Sequence, residues 1–173
     1  YLLKIIKTAK RTNADNVGGI FITKPGGNTY NAYLIQALTT HKFGVGDSGF
    51  RTGAREGEAD TVPYGYFKRE IFEKYGGFDE RLVRAQDYEF NRRIINNGGK
   101  IWRNPDIRIS YFNQPTLREF LRKQFFKEAP YNVYMWYLAP YTFAYRHAIT
   151  GVFASGVIAR FILSFFSVFF KWI

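Results

Sequence analysis

Gly76-Gly77-Phe78-Asp79-Glu80, followed by Gln86-Asp87-Tyr88-Glu89-Phe90 and then Asn97-Gly98-Gly99-Lys100, is the stretch on which the reading of the fold turns. Gly76-Gly77 stops a short helix predicted over residues 68–75, since glycine accepts the left-handed conformation that closes a helix. Asp79-Glu80-Arg81 leads into a short loop. A second helix is predicted from Asp87 to Asn97, with Phe90, Ile94 and Ile95 on its apolar face and Gly98-Gly99 ending it. Asp87 stands at its N-terminal end, where free N–H groups and the macrodipole favour an anion. Helix physics leaves two readings of Asp87 open. It caps the helix, or it is a general base that takes a proton from an attacking hydroxyl.

Working outward, residues 100–102 and 107–112 read as short strands around Asn104-Pro105-Asp106, and residues 61–67 are strand-like. Upstream, residues 1–12 place Leu2, Leu3, Ile5, Ile6 and Ala9 on one face of an amphipathic helix, broken at residues 13–16. Residues 17–23 form a buried strand ended by Lys24-Pro25-Gly26-Gly27, and Asn28 or Thr29 caps a helix over 30–40. Residues 42–58 hold five glycines and no apolar period, a loop of a length that is commonly functional or disordered. Strands alternate with helices, so the fold class is α/β.

The composition bounds the function. Hydrophobic residues are 46% and aromatic residues 20% of the 173, with 13 Tyr and 18 Phe, which excludes global disorder. No cysteine is present, so disulfides and thiolate metal sites are excluded. A net charge of +11 calls for an anionic partner, nucleic acid or lipid. The order along the chain favours lipid. Arg118, Arg122, Lys123 and Lys127 precede an apolar tail, as at a cytoplasmic membrane flank. No nucleic-acid motif accompanies the charge. Tyr1-Leu2-Leu3-Lys4-Ile5-Ile6-Lys7 reads as the middle of a helix, as though cut from something longer.

Past Pro115 the character changes. Leu117, Phe120, Leu121, Phe125 and Phe126 fit an amphipathic helix whose other face is basic, and residues 130–145 carry five Tyr and a Trp, an interfacial mix. Residues 148–173 are mostly apolar and long enough to cross a bilayer as a helix. Gly151, Ser155 and Ala159 make a stripe suited to helix packing in lipid, and Arg160 interrupts the run. Spanning is the favoured reading, and a re-entrant or interfacial helix with Arg160 snorkelling is the second. Three segments result: 1–115, 116–147 and 148–173.

Thr61-Val62-Pro63-Tyr64-Gly65-Tyr66-Phe67-Lys68-Arg69-Glu70, the Gly-Gly-Phe-Asp-Glu run, the pair after Gln86 and the Gly-Gly-Lys turn occur in order. So do Ala14-Asp15-Asn16-Val17-Gly18-Gly19 and His41-Lys42-Phe43-Gly44-Val45-Gly46. Together they resemble the second, acceptor-side half of family 2 inverting glycosyltransferases of GT-A fold, in the bacterial exopolysaccharide or succinoglycan-type branch. The resemblance covers residues 1–128 and extends loosely to the tail. It implies that Gln86-Asp87 is the base motif, with Asp87 the base and Gln86 in place of the commoner acid. It aligns the family's Gln-x-x-Arg-Trp motif, near the donor pyrophosphate, with Gln124-Phe125-Phe126-Lys127-Glu128. There Lys127 departs from Arg and Glu128 from Trp, and a basic face resting on lipid headgroups is an equal reading of Lys127.

The resemblance further implies a nucleotide-sugar donor, a glycan or lipid-linked acceptor, and a location on the cytoplasmic face of the bacterial inner membrane. It also implies a Mg or Mn ion held by an Asp-x-Asp motif in a preceding nucleotide-binding half. Residues 1–60 carry no substitute for that motif, so no metal ligand is assigned in this chain, and the chain alone is expected to be inactive. Arg51 and Arg55, in the glycine-rich loop, are acceptor-site candidates or solvated loop arginines. Asp79 orients its turn or supports the base. His41, His147 and Asp60 are read as structural. The competing function is a non-catalytic membrane scaffold derived from such an enzyme.

Overall fold

The computed structural model describes residues 1–166 other than Phe43, Asp47 and Ala54. The chain forms two compact units, Tyr1–Thr142 and Phe143–Ile173. Residues 116–142 belong to the first of these units.

The first unit is a mixed α/β arrangement, consistent with part of a GT-A domain. Its centre is β1 (Asn16–Lys24) running parallel to β4 (Ile101–Phe112), with β2 (Gly57–Glu58) antiparallel on the β4 edge and β3 (Tyr66–Phe67) antiparallel on the β1 edge. β4 is one continuous strand where two were expected. Asn104-Pro105-Asp106 is absorbed as an irregularity: Gly18 faces Arg103, but Ile20 already faces Arg108. Pro105 has no N–H to give the ladder, and the Asn104 side chain takes the Asp106 N–H at 2.8 Å. The bulge crowds β1, where a Cβ on Gly19 would lie 1.7 Å from the Ile107 carbonyl oxygen.

One side of the sheet is covered by α1 (Leu2–Thr12), which buries Ile5, Thr8 and Ala9 against Ala14, Val17 and Ile107. The buried stripe is narrower than the apolar pattern suggested, since Leu2, Leu3 and Ile6 face solvent. Asn13, left-handed at φ 53°, closes the helix with its N–H on Ala9 O. α2 (Tyr30–Thr40) follows with Thr29 as its cap, accepting from the Ala32 N–H.

A second cluster joins Ile71 of α4 (Arg69–Tyr75), Phe90 and Ile94 of α5 (Gln86–Asn96), Ile101 of β4 and Val62 from the loop before β3. The rings of Phe67, Phe72, Phe78 and Phe90 pack with centroids 5.2–5.9 Å apart. Two expectations fail nearby. Residues 61–67 are extended only at Tyr66–Phe67, because Tyr64 is left-handed at φ 47° and Pro63 cannot donate to a ladder. The long loop over 42–58 is structured in part, by α3 (Gly49–Thr52) and β2.

After Thr116, whose hydroxyl caps the Glu119 N–H, α6 (Leu117–Lys123) passes through a π-helical turn (Gln124–Glu128) into α7 (Ala129–Leu138). A 3₁₀ turn at Pro140–Thr142 ends the first unit. The second unit contains α8 (Tyr145–Phe166), the one helix among the described residues long and apolar enough to cross a membrane. Residues 167–173 of the expected apolar segment lie outside the described residues.

Candidate active site

A cavity of about 410 Å³ opens at the start of α5, walled by Gln86, Asp87 and Tyr88 from the helix, Arg84 before it, Phe50 from α3, Thr61 from a loop, and Glu128 from the π-helical turn. The local chain turns sharply there. Ala85 is left-handed at φ 62° and serves as the N-cap of α5 without a side-chain bond to the helix. Left-handed conformation at a residue with a Cβ is costly and concentrates at functional sites. Asp87 is thus the second residue of the helix rather than its cap.

The Asp87 carboxylate accepts the Tyr88 N–H at 2.9 Å. Burial pushes Asp87 above its ordinary carboxylate value, against the backbone N–H groups of Tyr88 and of Asp87 itself, which pull down. By surface area the residue is exposed, and it stands on the cavity wall among Arg84, Gln86 and Tyr88. Such a group is more basic than a solvated aspartate, which suits proton abstraction.

Thr61 is set on the cavity wall by a buried polar chain. The Asn91 amide, one turn after Asp87, donates to the Thr61 hydroxyl at 2.9 Å and accepts from the Asn16 amide at 2.6 Å. This ties β1, α5 and the loop after Asp60 together beneath the site.

The structure brings some predicted residues together and separates others. Gln86 and Asp87 share the cavity. Gln124 is half-buried at the start of the π-helical turn, and Lys127 is exposed on it. Glu128, not Lys127, is the residue of that run that enters the cavity. Arg51 packs its guanidinium over Phe21, Phe50 and Tyr111, 5.3–5.4 Å from each ring centroid, beside the wall formed by Phe50. Arg55 has an exposed side chain at the sheet edge, and its carbonyl accepts from Arg103 at 3.1 and 3.3 Å.

Asp79 belongs elsewhere. It lines a neighbouring cavity of about 310 Å³ with Glu89, Arg93 and Tyr141, and its carboxylate is taken by Arg81 at 2.7–3.0 Å. Hydrogen bonds from Arg81 hold it down at about 2. Sequence reasoning passed over Arg84, Tyr88 and Glu128. Glu128 was hidden because a 3.6-residue period cannot register the π turn that aims it. Among the described residues no group of three or more His, Asp and Glu side chains is placed to hold a metal ion.

Comparison with known proteins points to sugar transfer. Two curated relatives match, a glycosyltransferase and a protein of polysaccharide biosynthesis. The first is the dolichyl N-acetyl-alpha-D-glucosaminyl phosphate 3-beta-D-2,3-diacetamido-2,3-dideoxy-beta-D-glucuronosyltransferase of Methanococcus voltae, 36% identical over 72 residues, which is 40% of this chain and 22% of that enzyme. The second is the succinoglycan biosynthesis protein ExoA of Rhizobium meliloti, 27% identical over 117 residues, which is 68% of this chain and 35% of that protein. The matches thus span between about a fifth and a third of these relatives' lengths. No family model matches the chain. No solved structure matches it.

Proposed function

We propose that this chain is the acceptor-side part of an inverting glycosyltransferase of family 2. On this reading it acts in the synthesis of a bacterial polysaccharide or lipid-linked glycan at the cytoplasmic face of a membrane. The observation that carries the proposal is Asp87, a carboxylate raised by burial, placed on the wall of a cavity and within the ordered motifs that resemble the family. The similarity to a glucuronosyltransferase and to a succinoglycan biosynthesis protein supports it.

On this reading the acceptor hydroxyl lies in the cavity against Asp87, which takes its proton as the oxygen attacks the anomeric carbon of a nucleotide-sugar, whose bond to the diphosphate oxygen breaks and releases the nucleotide. Inversion requires a single in-line displacement, so one base suffices. The described residues hold no group of His, Asp and Glu side chains placed for a divalent metal. The Mg or Mn ion that serves such enzymes belongs, in this proposal, to other parts of the longer protein.

Replacing Asp87 by Asn in the whole protein keeps the size of the side chain and removes its basicity. Sugar transfer is expected to fall by about 10²–10⁴-fold, the usual contribution of a general base. Transfer at the parental rate would exclude Asp87 as the base.

A further inference from the structure

The start of α5 lacks the support that a helix end usually carries. Ala85, its N-cap, is left-handed and gives the first turn no side-chain bond. The N–H groups of such a turn have no acceptor within the helix, and a left-handed alanine is costly to hold. Asp87 occupies that turn and takes the Tyr88 N–H at 2.9 Å, so its carboxylate goes where the turn goes. What fixes the turn comes from outside the helix.

It comes from the 3₁₀ turn at Pro140–Thr142. The Tyr88 hydroxyl donates to the Thr142 carbonyl oxygen at 3.1 Å, across 54 positions of sequence. Arg92, four residues on and so on the same face of α5, gives Nε and Nη2 to the Tyr141 carbonyl oxygen at 3.4 and 3.3 Å. Beside them Glu89 accepts the Tyr141 hydroxyl. The acceptor of Tyr88 is itself held. Thr142 is fully buried, and its N–H and hydroxyl both donate to the Ala139 carbonyl oxygen, at 2.9 and 2.7 Å. Tyr88 therefore joins the base to a buried anchor: its N–H holds the Asp87 carboxylate, its hydroxyl is tied to the turn, and the residue walls the cavity between them.

We propose that Tyr88 is a positioning residue for the base: its hydroxyl, anchored on Thr142, sets where the first turn of α5 and the Asp87 carboxylate stand in the cavity. The proposal rests on the reading of Asp87 as general base, and Tyr88 acts through that carboxylate. Such a role enters the chemical step, because a misplacement of about 1 Å can cost roughly 10²-fold in rate. Substrate binding is set by the cavity walls instead. A phenylalanine at position 88 keeps the ring and the backbone N–H and loses the anchor, so it separates the two effects.

Tyr88→Phe in the whole protein tests this. Membranes carrying the protein are offered radiolabelled UDP-glucose, UDP-N-acetylglucosamine and UDP-glucuronate, and the donor that the parent incorporates is used for every variant. In Tyr88→Phe, kcat is expected to fall roughly five- to fifty-fold with the donor KM unchanged. In an Asp87→Asn background the same change is expected to lose nothing further, since no base is left to position. Tyr33→Phe removes the Tyr33 hydroxyl from Asn28 on the exposed side of α2 and is expected to match the parent. A parental kcat in Tyr88→Phe, a loss confined to KM, an equal loss in Tyr33→Phe, or the same fold-loss in the Asp87→Asn background would each overturn the proposal. Thermal melts identify a Tyr88→Phe protein that fails to fold. Arg92→Gln then decides, because it releases the same turn from outside the cavity lining: a fall in kcat supports the proposal and a parental kcat sinks it. Full transfer in Asp87→Asn removes the base reading itself, whereas a deep loss there beside a parental Tyr88→Phe removes the positioning role alone.

Discussion

Asp79 and Asp87 lie eight positions apart and titrate in opposite directions, because hydrogen bonds from Arg81 hold one down and desolvation at the cavity wall raises the other. For Asp87 the acid limb of kcat/KM is expected above the ordinary value of 3.8, since the base must be ionised and its burial raises the pKa. A limb at or below that value in the whole enzyme would remove Asp87 from the role. For Asp79 the sign runs the other way. Its folded value of about 2 is below the unfolded 3.8, so its contribution is complete above 3.8 and is lost as pH falls toward 2. Urea midpoints of the parent and Asp79→Asn are therefore expected to differ at about pH 6 and to converge near pH 2, and a constant gap would sink this account. Gly19 gives the steric counterpart. A methyl 1.7 Å from the Ile107 oxygen forces β1 off β4, so Gly19→Ala is expected to cost about 3 kcal/mol or more by urea titration.

At the scale of elements, α5 is held at its far side as firmly as Asp87 is exposed at its start. Glu89, 1% exposed, takes Arg93 Nε at 2.9 Å and Nη2 at 2.6 Å, and also the Tyr141 hydroxyl. Arg92 and the Tyr88 hydroxyl grip the Tyr141 and Thr142 carbonyls at 3.1–3.4 Å. Burial and the bond to Glu89 push Tyr141 up to about 12. Removing the hydroxyl by Tyr141→Phe is expected to cost about 1–2 kcal/mol while Arg93 still pairs Glu89. That difference is complete below about pH 10 and disappears as pH rises toward 12, because the tyrosine is then ionised in both states. Thermal melts of both proteins across that range check it, and a gap that persisted at the alkaline end would exclude the bond as its cause. α5 itself was legible in Phe90, Ile94 and Gly98, since period and terminator are local signals. The clamp on it was not, for Glu89 and Tyr141 meet across 52 positions. The single β4 was obscured by Pro105, whose missing N–H looks like a strand end until Asn104 supplies the substitute. Tyr64 reads as a strand residue in every local sense, and only its left-handed backbone ends the extension.

For the molecule as a whole, the two units differ in what they ask of their surroundings. The first buries two apolar clusters of its own yet leaves Phe125 and Phe126, 67% and 75% exposed, among Arg118, Arg122 and Lys127. Basic and aromatic side chains in that mixture suit a headgroup layer. In the second, the described apolar side chains of α8 are almost all exposed. We propose that α8 is inserted in the bilayer. Against insertion stands Arg160, which costs about 2.5–3.5 kcal/mol at the centre of a span. In its favour are the surrounding Phe, Ile, Val and Leu, each contributing about 0.3–0.6 kcal/mol on the same scale. The balance is close enough for one residue to move it. Membranes carrying the chain are expected to retain it through an alkaline carbonate wash, and Arg160→Leu is expected to raise the retained fraction. Complete release of both proteins would place α8 on the surface. Retention of Arg160→Leu alone would mean that the native arginine keeps the helix at the interface, where the basic and aromatic face of α6 and α7 must supply the anchorage.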